Sequence, residues 1–311
     1  MPERNLSLSS IRSRFGGLKT IKPSLKRSAA LIAIAAVVPA FLVDAAAPAA
    51  ASASTNFYGS GSSAAQSYMN ALFAGYEKQH PNIRFHYNPD GGNAGVTDVV
   101  NGNSQFAIQT AAPSATKQKT EWGKLFLDAV CIDVNSKNKL SNISESAVQG
   151  IFQSNPLYNS WNQVPAASGK AANLGSQTIL AEGRNSAAGQ YTFFVQEILK
   201  GGSENQSVTQ ESTDGEVKVQ IETHANAIGY VGLANSVGKT EKALALNGVP
   251  CTSKYVASEK YPLWRYDWVV LPASPNLQLV AFFNWVTSNK AAAKIINQAG
   301  AVAAKRQALV L

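Results

Sequence analysis

The sequence is poor in the residues that build metal and redox centres: three histidines, two cysteines and two methionines in 311 residues. His80, His86 and His224 show no metal-ligand spacing with one another or with Cys131 and Cys251, so neither a structural zinc nor any other cofactor is expected. The Gly-x-Ser-x-Gly signature of a hydrolase elbow is missing. Ser62 or Ser63 as nucleophile, with His224 as base, would rest on nothing but coexistence in one chain, and the protein is not read as an enzyme. There is no repeat of solenoid period, and no second long apolar run follows the N-terminal one.

The N-terminus is where charge and apolar sequence concentrate. Arg4, Arg12, Arg14, Lys19, Lys22, Lys26 and Arg27 form a basic leader, Ala29 to Val43 is apolar, and Ala45 to Ala53 is small-residue sequence. That order reads as a secretory signal peptide over residues 1–53. The apolar run, broken by Pro39, is short for a membrane span. Lys26-Arg27 is not a twin arginine, and no cysteine follows the run to carry a lipid. Removing the leader's seven basic and two acidic residues leaves 20 basic against 17 acidic, a net +3 instead of +8. The high overall charge therefore belongs largely to the leader and gives no reason to expect a nucleic-acid partner. The remaining 258 or so residues suffice for one large core or two moderate ones. In an exported chain Cys131 and Cys251 either form one disulfide or stay as two buried thiols.

Past the leader, short strands alternate with glycine-rich loops and helices. Thr55 to Tyr58 reads as a strand, followed by Gly59-Ser60-Gly61-Ser62-Ser63 and a helix from about 64 to 80 with Ala65, Tyr68, Met69, Leu72, Phe73 and Tyr76 on one face. Ile83 to Tyr87 is a strand, Pro89 to Gly95 a second loop, Val96 to Asn101 a helix, and Phe106 to Gln109 a third strand ahead of Thr110-Ala111-Ala112-Pro113. The β-rich run Leu125 to Val134 leads out of this unit. A second unit has a helix at Ser144 to Phe152, a strand at Thr178 to Ala181, a polar loop from Ser203 to Gly215, a helix at Glu216 to His224 and a strand at Ala227 to Leu233. Strands at 243–246 and 268–271 precede one long helix from about Leu277 to Ala299. This is the grammar of an open α/β sheet, and such sheets bind ligands at the carboxyl ends of their strands.

The stretch Glu182 to Gly201 concentrates the chemistry. Gly183, Ala187, Ala188 and Gly189 keep the backbone bare before a helix whose first amides have no internal partners. Arg184 adds a planar guanidinium suited to an oxyanion.

Three such loops, in this order, resemble the substrate-binding proteins of phosphate-specific ABC transporters, over nearly all of the chain past the leader. The resemblance rests on Gly59 to Ser63, Gly91 to Val96, Ser141 to Ser144 with Ile151-Phe152 and Trp161-Asn162, Arg184 to Phe194, Ala227 to Val231 and Tyr261-Pro262-Leu263. It implies a two-lobed type II periplasmic-binding-protein fold, α/β, each lobe an open mixed sheet flanked by helices, with the ligand cleft between. Lobe one is expected at 54–133 plus 235–311 and lobe two at 134–234. The resemblance further implies a monomer, periplasmic or secreted, that captures inorganic phosphate or a similar oxyanion and delivers it to an inner-membrane ABC permease.

Residue by residue, the family's first-loop hydroxyl falls on Ser63, beside Ser62, with the next amide at Ala64. The family's arginine falls on Arg184. Its second-loop serine falls on Gly92, leaving an amide or Asn93, and its serine and threonine after the arginine fall on Ala188 and Gln190, around Gly189. Its acidic residue falls on Thr110. A carboxylate there accepts the proton of monohydrogen phosphate and repels an anion with no proton to give, so Thr110 should relax the choice between phosphate and sulfate. An altered pocket for another anion, unlinked to transport, is the alternative. Arg184→Ala is expected to weaken anion binding by roughly 1.5–3 kcal/mol with little loss of stability.

Overall fold

The computed structural model describes residues 54–113, 119–165, 167, 169–236, 238–304 and 309–311. The expected signal peptide, 1–53, lies outside the described residues.

The first unit runs β1 (Thr55–Gly61), α1 (Gln66–Glu77), β2 (Ile83–Asn88), α2 (Gly92–Asn101), β3 (Phe106–Gln109). β1 lies between β2 and β3, parallel to both. The expected α1 face is buried throughout. α2 starts four residues earlier than its apolar pattern suggests, because Gly91, at φ +109°, turns the chain into it and places Gly92 and Asn93 in the first turn.

β4 (Thr120–Asn135) is 16 residues long and runs through both halves of the sheet. The rest follows as β5 (Asn142–Ile143), α3 (Glu145–Phe152), β6 (Leu180–Arg184), α4 (Gly189–Glu197), β7 (Thr209–Glu211), α5 (Asp214–Thr223), β8 (Ala227–Gly232), β9 (Glu241–Ala243), β10 (Ala245–Leu246), β11 (Val249–Pro250), α6 (Ser253–Ala257), β12 (Trp264–Pro272), α7 (Leu277–Ser288), α8 (Lys290–Gln298) and β13 (Val302–Ala303). The main sheet is ordered β2-β1-β3-β12-β4-β8-β6-β7, with β13 and β9 also on β4. β12 pairs antiparallel with the first part of β4, from Thr120 to Ala129, and β8 with the part from Val130 to Val134. One strand thus joins, through antiparallel β12 and β8, the parallel group β2-β1-β3 on one side and the parallel group β8-β6-β7 on the other, the two lobes of a type II periplasmic-binding-protein fold.

Each group has its own core. Phe57, Tyr68, Phe73, Phe106, Phe126, Phe282 and Phe283 gather in one, where Phe85 approaches Phe282 at 4.4 Å between ring centroids. Ile132, Phe152, Trp161, Phe194, Tyr230, Leu246, Tyr261 and Leu263 gather in the other, where Phe194 stacks on Tyr230 at 4.0 Å. Burying each large apolar side chain contributes roughly 1.5–3 kcal/mol. Cys131 on β4 and Cys251 ahead of α6 are disulfide-bonded, with Cα atoms 5.7 Å apart.

Two expectations need correction. The long C-terminal helix is two helices: Asn289 is extended (φ −88°, ψ 136°), ends α7, and its side chain accepts from the Ala291 amide to cap α8. The segment from Ser203 to Gly215 is not a solvated loop. Glu204, Val208 and Asp214 within it are buried, and it holds β7 and the start of α5. Among the described residues no helix is long and apolar enough to cross a membrane.

Candidate functional site

The carboxyl ends of β1, β3 and β6 and the loop after β2 meet where the two groups of strands face each other. Gly61 (φ +124°) lets the end of β1 lie directly against β3; a Cβ there would strike the Ile108 carbonyl. The Ser62 amide donates to that carbonyl at 2.8 Å, and the Gly61 amide donates to Asp90 Oδ1 at 3.0 Å. Ser62 Oγ accepts from the Ala65 amide at 3.3 Å, turning the chain toward α1. Ser63 Oγ accepts from the Asp214 amide at 3.3 Å, and the Ala64 carbonyl accepts from Asn235 Nδ2 at 3.5 Å. The first loop is thereby tied to the opposite group of strands.

The α2 loop makes the same crossing. The Asn93 amide donates to the Ala187 carbonyl at 2.9 Å, and Asn93 Nδ2 donates to the Ser186 carbonyl and to Thr192 Oγ1. Ala188 caps α4, and Gly189 and Gln190 form its first turn.

Arg184, the last residue of β6, is 1% exposed. Its guanidinium is ion-paired with Asp214 Oδ1, donates to Gln190 Oε1 at 2.8 Å, and donates to the Glu211 and Ser212 carbonyls at 3.3 and 2.7 Å. Asp214 Oδ2 accepts from Gln190 Nε2, the Gly232 amide and Asn235 Nδ2. The positive charge that suits an oxyanion is therefore matched by a carboxylate whose own acceptor positions are filled. Tyr230 supports this arrangement, accepting from the Arg184 amide and donating to Glu204 Oε1. Burial pushes the Glu204 carboxyl up to about 7.

A second buried polar group lies beneath. Arg265 donates to Asp128 Oδ2 at 3.0 Å and faces Asp267 at 3.7 Å, and Tyr68 donates to Asp267. Burial raises both carboxyls, with Arg265 pulling the other way. Gly232 separates Asp128 from Asp214: a Cβ there would lie 3.4 and 3.3 Å from their oxygens.

Thr110, just past β3, is 1% exposed, and its Oγ1 is without a hydrogen-bond partner among the described residues. A Cβ on Gly189 would sit against that hydroxyl. Beside it, Gln109 Oε1 accepts from the Thr110 and Ala111 amides at 2.7 and 3.1 Å, and Nε2 donates to Asn93 Oδ1 at 2.8 Å.

The structure thus brings Ser62, Ser63, Ala64, Gly92, Asn93, Thr110, Arg184, Ala188, Gly189 and Gln190 into one region. Of the aromatics, Tyr58 is 53% exposed and stacks on His86, away from this region, and Tyr230 is buried behind Arg184. Sequence reasoning missed Asp214, although Thr213-Asp214-Gly215-Glu216 is a capping box that places a helix start there. Gln109 and Asn235 carried no comparable signal.

Comparison with known proteins agrees with this architecture. The profile of the PBP superfamily domain matches residues 46–290, more than half of the chain. The chain is 24% identical over 281 residues to the phosphate-binding protein PstS of Pseudomonas aeruginosa, covering 84% of this chain and 86% of that one. It is 24% identical over 216 residues to the phosphate-binding protein PstS of Bacillus subtilis, covering 67% of each. A Clostridium perfringens protein solved with bound phosphate shares the fold at a TM-score of 0.72 and 17% identity, over 81% of this chain and all of that one. An ABC-type phosphate transport receptor from Vibrio cholerae does so at 0.62 and 20%, over 79% and 99%. With a family profile running from residue 46 into α8, and a sheet of two strand groups on one long β4, the chain belongs to the PBP superfamily.

Proposed function

We propose that this protein is an exported solute-binding protein that captures inorganic phosphate, or a closely related oxyanion, between its lobes and hands it to an ABC permease. It works outside the cytoplasm, in the periplasm or secreted, as a monomer and without catalysis. The lobe division, 54–133 plus 235–311 against 134–234, is part of this proposal, and within it a return to the first lobe at the start of β12 is supported by Leu244, Leu246, Val256 and Leu263 sharing a core with Ile132 and Tyr230.

The observation that carries this reading is the convergence of α2 and α4 on one buried polar point. A Cβ on either of their first residues, Gly92 or Gly189, would strike the same atom, and the unpartnered Thr110 hydroxyl lies beside it. Helix N-termini carry partial positive charge and free amides, which suits an anion. Ser63, Asn93, Gln190 and Arg184 supply the surrounding hydrogen-bonding groups.

The relatives named as phosphate-binding proteins support phosphate as the ligand. A second reading, an altered pocket for an anion such as sulfate without transport, is favoured by Thr110 at the family's acidic position. Asp214 does not replace that acid, since its oxygens already accept from Arg184, Gln190, Gly232 and Asn235. Phosphate and sulfate should therefore bind within about tenfold of each other, the site lacking a free carboxylate to repel sulfate.

Calorimetric titration of the purified protein, refolded free of ligand, with each anion at two pH values tests both readings. Heat with phosphate supports capture, and comparable heat with sulfate supports relaxed selectivity. No heat with either anion overturns the oxyanion reading.

A further inference from the structure

Gln109 is 3% exposed, and its carboxamide lies at the point on which the two helix starts converge. The atom facing the Thr110 and Ala111 amides must be the oxygen, because backbone amides only donate. That oxygen takes two N–H bonds while packed against the bare Cα atoms of Gly92 and Gly189, beside the partnerless Thr110 hydroxyl. A neutral oxygen thus sits where an oxyanion would place one of its own.

Its nitrogen extends the same logic across the cleft. Gln109 Nε2 donates to Asn93, and Asn93 donates to Ser186 and Thr192 on the opposite side. Arg184, the cation of the site, is meanwhile occupied by Asp214 and Gln190. The closed arrangement is satisfied by the protein's own groups.

Building on the oxyanion reading above, we infer that Gln109 is an internal competitor for the anion site. Its carboxamide takes one oxygen position and links the two sides of the cleft, so phosphate binds only after this side chain swings out. The consequence is quantitative. When the binding-competent form is a minority, the apparent Kd rises by the inverse of its fraction. A carboxamide making three hydrogen bonds, each taken at the weak end of net hydrogen-bond strength, sets that fraction at roughly one in ten. A glutamine that merely finishes β3 would have the opposite signature, its removal leaving anion affinity unchanged or weakened.

The test uses the purified protein and two variants, Gln109→Ala and Gln109→Ser, each refolded free of ligand and shown by its melting curve to be folded. Small-angle X-ray scattering without anion, and calorimetry with phosphate, are then compared. Both variants should be more expanded than the parent without anion, should contract with phosphate, and should bind phosphate about tenfold more tightly. Equal or weaker binding by folded variants, with the parent binding phosphate, overturns the inference. If none of the three binds phosphate or sulfate, the oxyanion reading falls. Scattering alone then decides the closing role of Gln109: expansion of the variants upholds it, and unchanged scattering overturns it.

Discussion

Arg184 and Asp214 form a buried ion pair, each 1% exposed, with further hydrogen bonds on both sides. Removing one member of such a pair strands an uncompensated charge, which costs about 3–5 kcal/mol, whereas replacing both by apolar groups is close to neutral. This reverses the expectation from sequence that Arg184→Ala would spare stability. Urea unfolding should show Arg184→Ala and Asp214→Ala each losing about 3–5 kcal/mol, and Arg184→Met/Asp214→Leu losing clearly less than their sum. Strict additivity would mean that the two side chains do not depend on each other. Arg184 was legible as a candidate because a guanidinium before a bare loop and a helix start is a local pattern. Asp214 lies 30 residues further on, and its pairing depends on β6 and β8 lying side by side, which local pattern does not encode.

At the scale of elements, periodicity located what packing dictates and missed what caps dictate. The α1 stripe and β3 were readable because burial imposes the period directly. The start of α2 was not, since Gly92, Asn93 and Gly95 carry no apolar signal and the boundary is set by the backbone at Gly91. The break between α7 and α8 hides for the same reason: Leu279, Phe282, Phe283, Val286 and Ile296 form what looks like one stripe, while a single asparagine at 289 interrupts it. Asn289→Ala removes the side-chain acceptor for the Ala291 amide and should cost about 1 kcal/mol. Asn289→Ser, which keeps an acceptor, should restore most of it in the same denaturation assay. If Ala is as stable as Ser, the cap does not hold the break.

For the whole molecule, stability should respond to reductant and to pH. The Cys131–Cys251 bond closes a loop of sequence separation 120, and losing such a constraint costs about 2–5 kcal/mol. Urea midpoints with and without dithiothreitol should differ accordingly, with reduction slow because Cys131 is fully buried. The pH response follows from Asp133 and Glu204. Burial raises both to about 7, although Ser236 bonds Asp133 and Tyr230 bonds Glu204. In the unfolded chain both return to ordinary carboxylate values near 4. Between about pH 4 and pH 7 the folded state therefore holds protons that the unfolded chain has released. Stability from these groups is greatest at the acid end of that window and falls as pH rises, by up to about 1.4 kcal/mol per pH unit for each. Unfolding free energy measured in urea should decline from pH 5 to pH 7, and buried Asp267, whose carboxyl is raised further still, extends the decline past pH 7. Asp133→Asn and Glu204→Gln should each flatten the decline, since a carboxamide neither gains nor loses the proton. A stability that climbs over this window in the parent, or a slope untouched by both substitutions, would show that these carboxyls are not held protonated in the fold.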